Sequence, residues 1–181
     1  MSMPSVRSLV LGTAVAVGTV AATATLVVAP AQADSGKSPA AAAVATRSHW
    51  MNLGTGKCLD VRGGSISDAA VIQQFSCKQE LHQEFWTDPL IGEPYTFLTP
   101  GHATVMCLQP TSAGAGATIV QRACNYSDGQ KWEFTWQNGG ALIKNKATGL
   151  CLADAAMPNG SRREVRQLPC TGEAGQLWVN R

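Results

Sequence analysis

The sequence predicts an all-β domain made from three copies of one unit, and three observations carry that prediction. First, a cysteine is followed at the same distance by Gln-x-aromatic three times, in Cys77 with Gln83-Glu84-Phe85, Cys124 with Gln130-Lys131-Trp132 and Cys170 with Gln176-Leu177-Trp178. Second, each copy carries an upstream Cys-Leu pair, at Cys58-Leu59, Cys107-Leu108 and Cys151-Leu152. The glutamines stand 47 and 46 residues apart, and a fixed period of that size marks a repeat architecture. Third, Gly, Pro, Ser, Asn and Asp recur between short β-prone runs, and no segment sustains a helical period. Short strands at regular spacing predict a sandwich or barrel.

Residues 1–33 are expected to be a secretory signal peptide. Arg7 supplies the positive start, an uncharged run of Val, Ala, Leu, Thr and Gly follows, and Ala31-Gln32-Ala33 offers the small residues of a cleavage site. The run is long enough to span a bilayer, so an uncleaved anchor is the alternative. Residues 34–47, small, polar and alanine-rich, predict a flexible linker. The domain then occupies residues 48–181, with repeats at 48–92, 93–138 and 139–181. Predicted strands include Val71-Ile72-Gln73-Gln74-Phe75, Tyr95-Thr96-Phe97-Leu98, Thr118-Ile119-Val120-Gln121 and Trp132-Glu133-Phe134-Thr135-Trp136, the last alternating aromatic and polar. Thr55-Gly56 and Thr148-Gly149 stand at matching places before the first cysteine and predict equivalent hairpin turns.

Composition narrows the function. With 14 basic and 12 acidic residues and a formal net charge of +2, the chain has no electrostatic footprint for nucleic acid or an anionic membrane. No Cys-x-x-Cys occurs, and His49, His82 and His102 show no ligand spacing, so neither metal nor cofactor is expected. No nucleophile elbow, His-Glu-x-x-His or phosphate loop is present, and the repeats place no pair of carboxylates as acid and base. The expectation is a binding protein, acting without a catalytic domain of its own.

Three copies of Cys-Leu, Cys and Gln-x-Trp resemble the ricin-B-type β-trefoil lectins, a carbohydrate-binding module family common in secreted bacterial proteins. The resemblance spans His49 to Arg181. It implies a pseudo-threefold barrel of twelve short strands. It also implies that Phe85, Trp132 and Trp178 pack in a shared core, while Gln130, Gln176 and their counterpart Gln83 tie repeat ends to backbone. Six cysteines allow fifteen pairings, and the repeat selects Cys58–Cys77, Cys107–Cys124 and Cys151–Cys170. Export to an oxidising compartment favours such pairing.

A sugar offers hydroxyls and a C–H face, so its site needs a carboxylate or amide acceptor, an aromatic platform and orienting amides. In the family these lie at set places, and the first repeat matches them all. Asp60 follows Cys58-Leu59, Phe75 lies two residues before Cys77, Gln73 lies two before Phe75, and His82-Gln83 opens Gln-x-Phe. Asp60 is expected to accept from two neighbouring hydroxyls, Phe75 to be the platform, and Gln73 and His82 to orient the ring. Gln83 either braces Asp60 or touches the sugar. Asp60 as a turn cap, and Phe75 as a core residue if a bulge reversed the strand, are the structural alternatives.

The second repeat is expected to have lost the pocket, with Gln109, Ala123 and Gly129 at the key places and Gln121 retained. The third has Ala153, Leu168 and Gly175 there, with Asp154 one residue late. Trp50, Trp86 and Trp136 are expected to pack at edges, Trp86 being the best additional platform because it faces away from Phe85. Arg162-Arg163 should form a solvated tip. The expected partner is a saccharide, galactose-type or a xylan-like polymer by resemblance. The alternative is a protein-interaction or protease-inhibitor module using loops such as Thr111–Thr118 or Pro158–Arg163.

Overall fold

The computed structural model describes residues 44–156 and 163–181; the expected signal segment and most of the expected linker lie outside the described residues. The first repeat supplies β1 (Thr46–Asn52), β2 (Cys58–Val61), β3 (Ile72–Phe75) and β4 (Glu84–Pro89). The second supplies β5 (Tyr95–Pro100), β6 (Met106–Pro110), β7 (Ile119–Ala123) and β8 (Lys131–Gln137). The third supplies β9 (Gly140–Asn145), β10 (Cys151–Ala156), β11 (Arg163–Leu168) and β12 (Leu177–Asn180). The described residues contain no α-helix, only four single 3₁₀ turns.

The outer two strands of each repeat close a six-stranded barrel in the order β1, β12, β9, β8, β5, β4 and back to β1. The inner two form hairpins, β2–β3, β6–β7 and β10–β11, which gather at one end. They touch one another in a triangle, through Val71 opposite Val120, Thr118 opposite Arg166, and Gln73 opposite Glu164. All pairings are antiparallel. This is the β-trefoil.

Local sequence explains the threefold match. Asn52 and Asn145 end β1 and β9, and each accepts a bond from the following glycine's N–H, Gly56 and Gly149, at 2.8 and 2.9 Å. Those glycines have φ of 65° and 67°, a region side chains disfavour, so Thr-Gly sets the turn in both. Alternation then sends Leu59, Val61 and Ile72 inward, with Leu108, Ile119, Leu152 and Val165 from the other hairpins. Phe85, Trp132 and Trp178 are fully buried beside them. Trp132 and Trp178 donate from Nε1 to the carbonyls of Leu108 and Leu152, at 3.0 and 3.1 Å, a bond Phe85 cannot make.

The disulfides are Cys58–Cys77, Cys107–Cys124 and Cys151–Cys170, each within one repeat. Loops of this length gain about 3 kcal/mol each in the chain-entropy account. Beside every bridge, one 3₁₀ turn presents the glutamine of Gln-x-aromatic. Gln83, Gln130 and Gln176 donate to the carbonyl before the second cysteine (Ser76, Ala123, Pro169) and accept from the N–H after it (Lys78, Asn125, Thr171), at 2.7 to 3.1 Å. The glutamine therefore clamps both sides of the bridge.

Two side chains differ from their expected placement. Trp50 is a core residue, 3% exposed, because β1 turns it toward the barrel axis. Arg163 is no solvated tip: it opens β11 and pairs with Asp154. Arg162 lies outside the described residues.

Candidate functional site

β2 and β3 pair so that Asp60 lies opposite Gln73 and Cys58 opposite Phe75. Two-residue periodicity puts Asp60, Gln73 and Phe75 on one face of the hairpin, away from the core face of Leu59, Val61 and Ile72. Phe75 is 47% exposed, so it is not a core residue. Lys78 places its ammonium 5.5 Å from the ring centroid.

Asp60 is almost wholly buried, and its partners account for that. Oδ1 accepts from Gln73 Nε2 at 2.8 Å, and Oδ2 from Gln83 Nε2 at 2.9 Å. His82 Nε2 lies 3.4 Å from Oδ2. A carboxylate offers about four lone-pair sites; Gln73 claims one on Oδ1 and Gln83 and His82 face Oδ2, so Oδ1 keeps one for an incoming hydroxyl. Asp60 sits on a paired strand and is not a turn cap. Gln83 is fully buried and braces Asp60, which decides between its two possible roles. The five residues singled out in the first repeat, Asp60, Gln73, Phe75, His82 and Gln83, are thus brought together.

Further residues have no signal in the repeat pattern. Arg62 donates from Nε to Gln73 Oε1 at 3.2 Å. Because Arg62 can only donate and Asp60 only accept, the Gln73 amide has a single satisfactory orientation. Arg62 is anchored in turn by Glu164 of the third repeat, at 3.0 Å. His102 of the second repeat bonds the Ser65 carbonyl at 3.0 Å and meets the His82 ring edge-on at 6.2 Å. Gly64 has φ +61°, and a Cβ there would lie 3.3 Å from His82 Nδ1. Glycine is therefore needed for the turn and for the imidazole above it.

Burial pushes the Glu164 carboxyl up, but hydrogen bonds from Arg62 and Arg166 outweigh it and hold the group below its ordinary value. A carboxylate lowered on folding stabilises above its unfolded value, about 4.3 for glutamate. That contribution is lost as pH falls through the folded-state value. Glu164→Gln should melt earlier than the parent at pH 7, and the difference should shrink as pH falls below the ordinary glutamate range. Parallel melting curves against pH would contradict the assignment.

The second repeat requires two corrections. Strand pairing puts Arg122, not Ala123, opposite Cys107, so Arg122 occupies the place of Phe75 and bonds Asp68 at 2.5 Å. Gln121 pairs with Leu108 just as Gln74 pairs with Leu59. It therefore corresponds to Gln74, not Gln73, and is not a retained pocket residue. Gln74, Gln121 and Gln167 are equivalent buried ties to a neighbouring repeat: Gln121 donates to Ser65 and Ser67, Gln167 to Ser112 and Gly114, and Gln74 to Asp154. Gln109, opposite Val120, accepts from Gln130 at 2.9 Å, a neutral stand-in for the structural half of Asp60's role.

In the third repeat Ala153 and Leu168 occupy the places of Asp60 and Phe75, as expected. A cavity of about 300 Å³ remains there beside Asp154 and Gly175. Asp154 is spent on Gln74 and Arg163. The loop 111–118 is tied down through Gly116 and the Gln167 amide, and residues 158–162 of the other suggested loop lie outside the described residues. Trp86 does face away from Phe85 and is half-buried, with Arg47 5.5 Å from its ring centroid. Among the described residues no group of three His, Cys, Asp or Glu side chains could hold a metal ion.

A six-stranded barrel capped by three hairpins, with an acceptor and an exposed ring on one hairpin, defines a β-trefoil of lectin type. The family model of the ricin-type beta-trefoil lectin domain matches residues 94–181, and that of the ricin-type beta-trefoil lectin domain-like group matches residues 46–122. The chain belongs to the ricin-type β-trefoil lectin family, which supports carbohydrate binding in general terms. No curated protein matches the sequence. Among solved structures, the designed threefold-symmetric protein ThreeFoil is 25% identical over 74% of this chain and 96% of its own, with a TM-score of 0.67. The exo-beta-1,3-galactanase 1,3Gal43A from Clostridium thermocellum is 25% identical over 75% of this chain, with a TM-score of 0.69, but this chain spans only 30% of that enzyme. The Rhizoctonia solani agglutinin, 14% identical over 78% of this chain and 98% of its own at a TM-score of 0.67, shares the fold.

Proposed function

We propose that the protein is a secreted, non-catalytic lectin with one saccharide site in its first repeat. The observation that carries this is Asp60, oriented by two amides and an imidazole on the face that also presents the half-exposed ring of Phe75. Asp60 accepts from a hydroxyl, Phe75 meets the C–H face, and Gln73 and His82 fix the ring's orientation. The other repeats lack the acceptor and the platform together. Secretion is supported by the leader-like first 33 residues and by three disulfides. The saccharide classes proposed are galactose-type sugars or xylan-like polymers. One shallow site binds weakly, so function rests on dense or polymeric glycan.

A glycan array probed with the mature protein tests the proposal. Phe75→Ala, a surface change, should weaken binding by about tenfold while leaving the melting temperature within a few degrees. An array blank at high protein concentration would sink the lectin and favour a protein partner.

A further inference from the structure

Among the described residues, β1, β4, β5, β8 and β12 line a common mouth of the barrel. A cleft of about 320 Å³ opens there, within the range of small-molecule sites. Trp50, Phe134, Trp136 and Tyr95 line it. Trp136 is 60% exposed, yet its ring is supported from within: its centroid is 6.3 Å from Trp50, whose own centroid is 5.0 Å from Phe134. It is therefore a braced, solvent-facing aromatic surface. Glu93, Thr87 and Asn180 bring a carboxylate, a hydroxyl and an amide to the same cleft.

A second observation is independent of shape. Trp50 is 3% exposed, and its indole Nε1 has no hydrogen-bond partner among the described residues. Trp132 and Trp178 both spend theirs on backbone carbonyls. Buried indole donors normally find an acceptor, so the floor of the cleft holds an unspent one.

We infer that this mouth is a second saccharide site, separate from Asp60. Trp136 takes the C–H face of a sugar ring, while Glu93 and Asn180 take its hydroxyls; the Thr87 hydroxyl is held by Thr46. A purely apolar ligand fits less well, because it would cover the Glu93 carboxylate and leave the indole donor unanswered. The inference shares its ligand class with the proposed function but none of its residues. Two sites on one chain would let a single molecule join two glycan strands, or grip one long polymer twice.

The two sites have separable reporters, since the first contains no tryptophan and the chain has five in all. The ¹⁵N-labelled protein is titrated with galactose and with xylohexaose, following indole and side-chain amide cross-peaks. The expected result is saturable movement of the Trp50 and Trp136 indole peaks with at least one sugar, unchanged in Asp60→Ala, while those of Trp132 and Trp178 stay still. In Trp136→Ala, which alters an exposed side chain, the Trp50 response should need at least about tenfold more sugar. Movement of the Gln73 amide with still indoles would overturn this inference alone. Moving indoles with a still Gln73 would overturn the first-repeat site alone, and no movement of either would overturn both. If the indoles answer to the apolar dye 1-anilinonaphthalene-8-sulfonate and to neither sugar, the ligand class is wrong.

Discussion

Asp60→Asn is expected to weaken saccharide binding at the first-repeat site by at least about a hundredfold, read at the Gln73 amide, with the fold intact. Charge-assisted hydrogen bonds from hydroxyl donors contribute about 1.5–3 kcal/mol each, and an asparagine keeps one acceptor oxygen where the carboxylate has two. That oxygen can still receive Gln83 Nε2, but the new NH₂ group then confronts Gln73 Nε2, which is also a donor. The protein contains its own controls for folding. In the second repeat Gln109 accepts from Gln130 with no charge present, and in the third Ala153 offers no acceptor while Gln176 still clamps Pro169 and Thr171. Both substitutions at position 60 therefore have a folded precedent in the chain, although Asp60→Ala should cost about 1–3 kcal/mol by leaving buried Gln83 N–H capacity unanswered. Titration calorimetry beside thermal melts separates the two effects. A variant that melts normally and binds as well as the parent would remove Asp60 from the site.

The largest loss of stability is expected from Trp132→Ala, about 3–5 kcal/mol from the cavity with a further contribution from the orphaned Leu108 carbonyl. The ring is fully buried between strands that pair with both neighbours, opposite Thr96 on β5 and Asn145 on β9. Trp132→Phe should cost about half as much or less, because the first repeat already places Phe85 at the equivalent position without an indole bond. Urea unfolding of the two variants tests the ranking. If phenylalanine cost as much as alanine, the indole hydrogen bond, and not ring volume, would dominate the site.

Much of this was legible in the residues. The cysteine and glutamine spacing announces three equivalent units, because each glutamine must reach both sides of its own disulfide and only one spacing allows that. The site residues of the first repeat were legible for the same reason: strand parity sends Asp60, Gln73 and Phe75 to one face. Parity also explains the error in the second repeat. Counting back from Cys124 by the first repeat's spacing leads to Arg122 and Val120 in the places of Phe75 and Gln73, and strand pairing agrees. Ala123 and Gln121 lie one residue further on, and one residue reverses the face, so inward Gln121 stands in for outward Gln73 only by a slip in register.

The sequence by itself determined the trefoil, its three bridges and the repeat whose outward face carries Asp60, Gln73 and Phe75 together, since these rest on local spacing and two-residue alternation. Tertiary structure decided what lies between repeats. Arg62 orients Gln73 only because Glu164 arrives from a hundred residues away, and Trp50, Phe134 and Trp136 converge only because the barrel closes β1 and β8 around one mouth. Such contacts join side chains far apart in sequence, and no local pattern of residues encodes them.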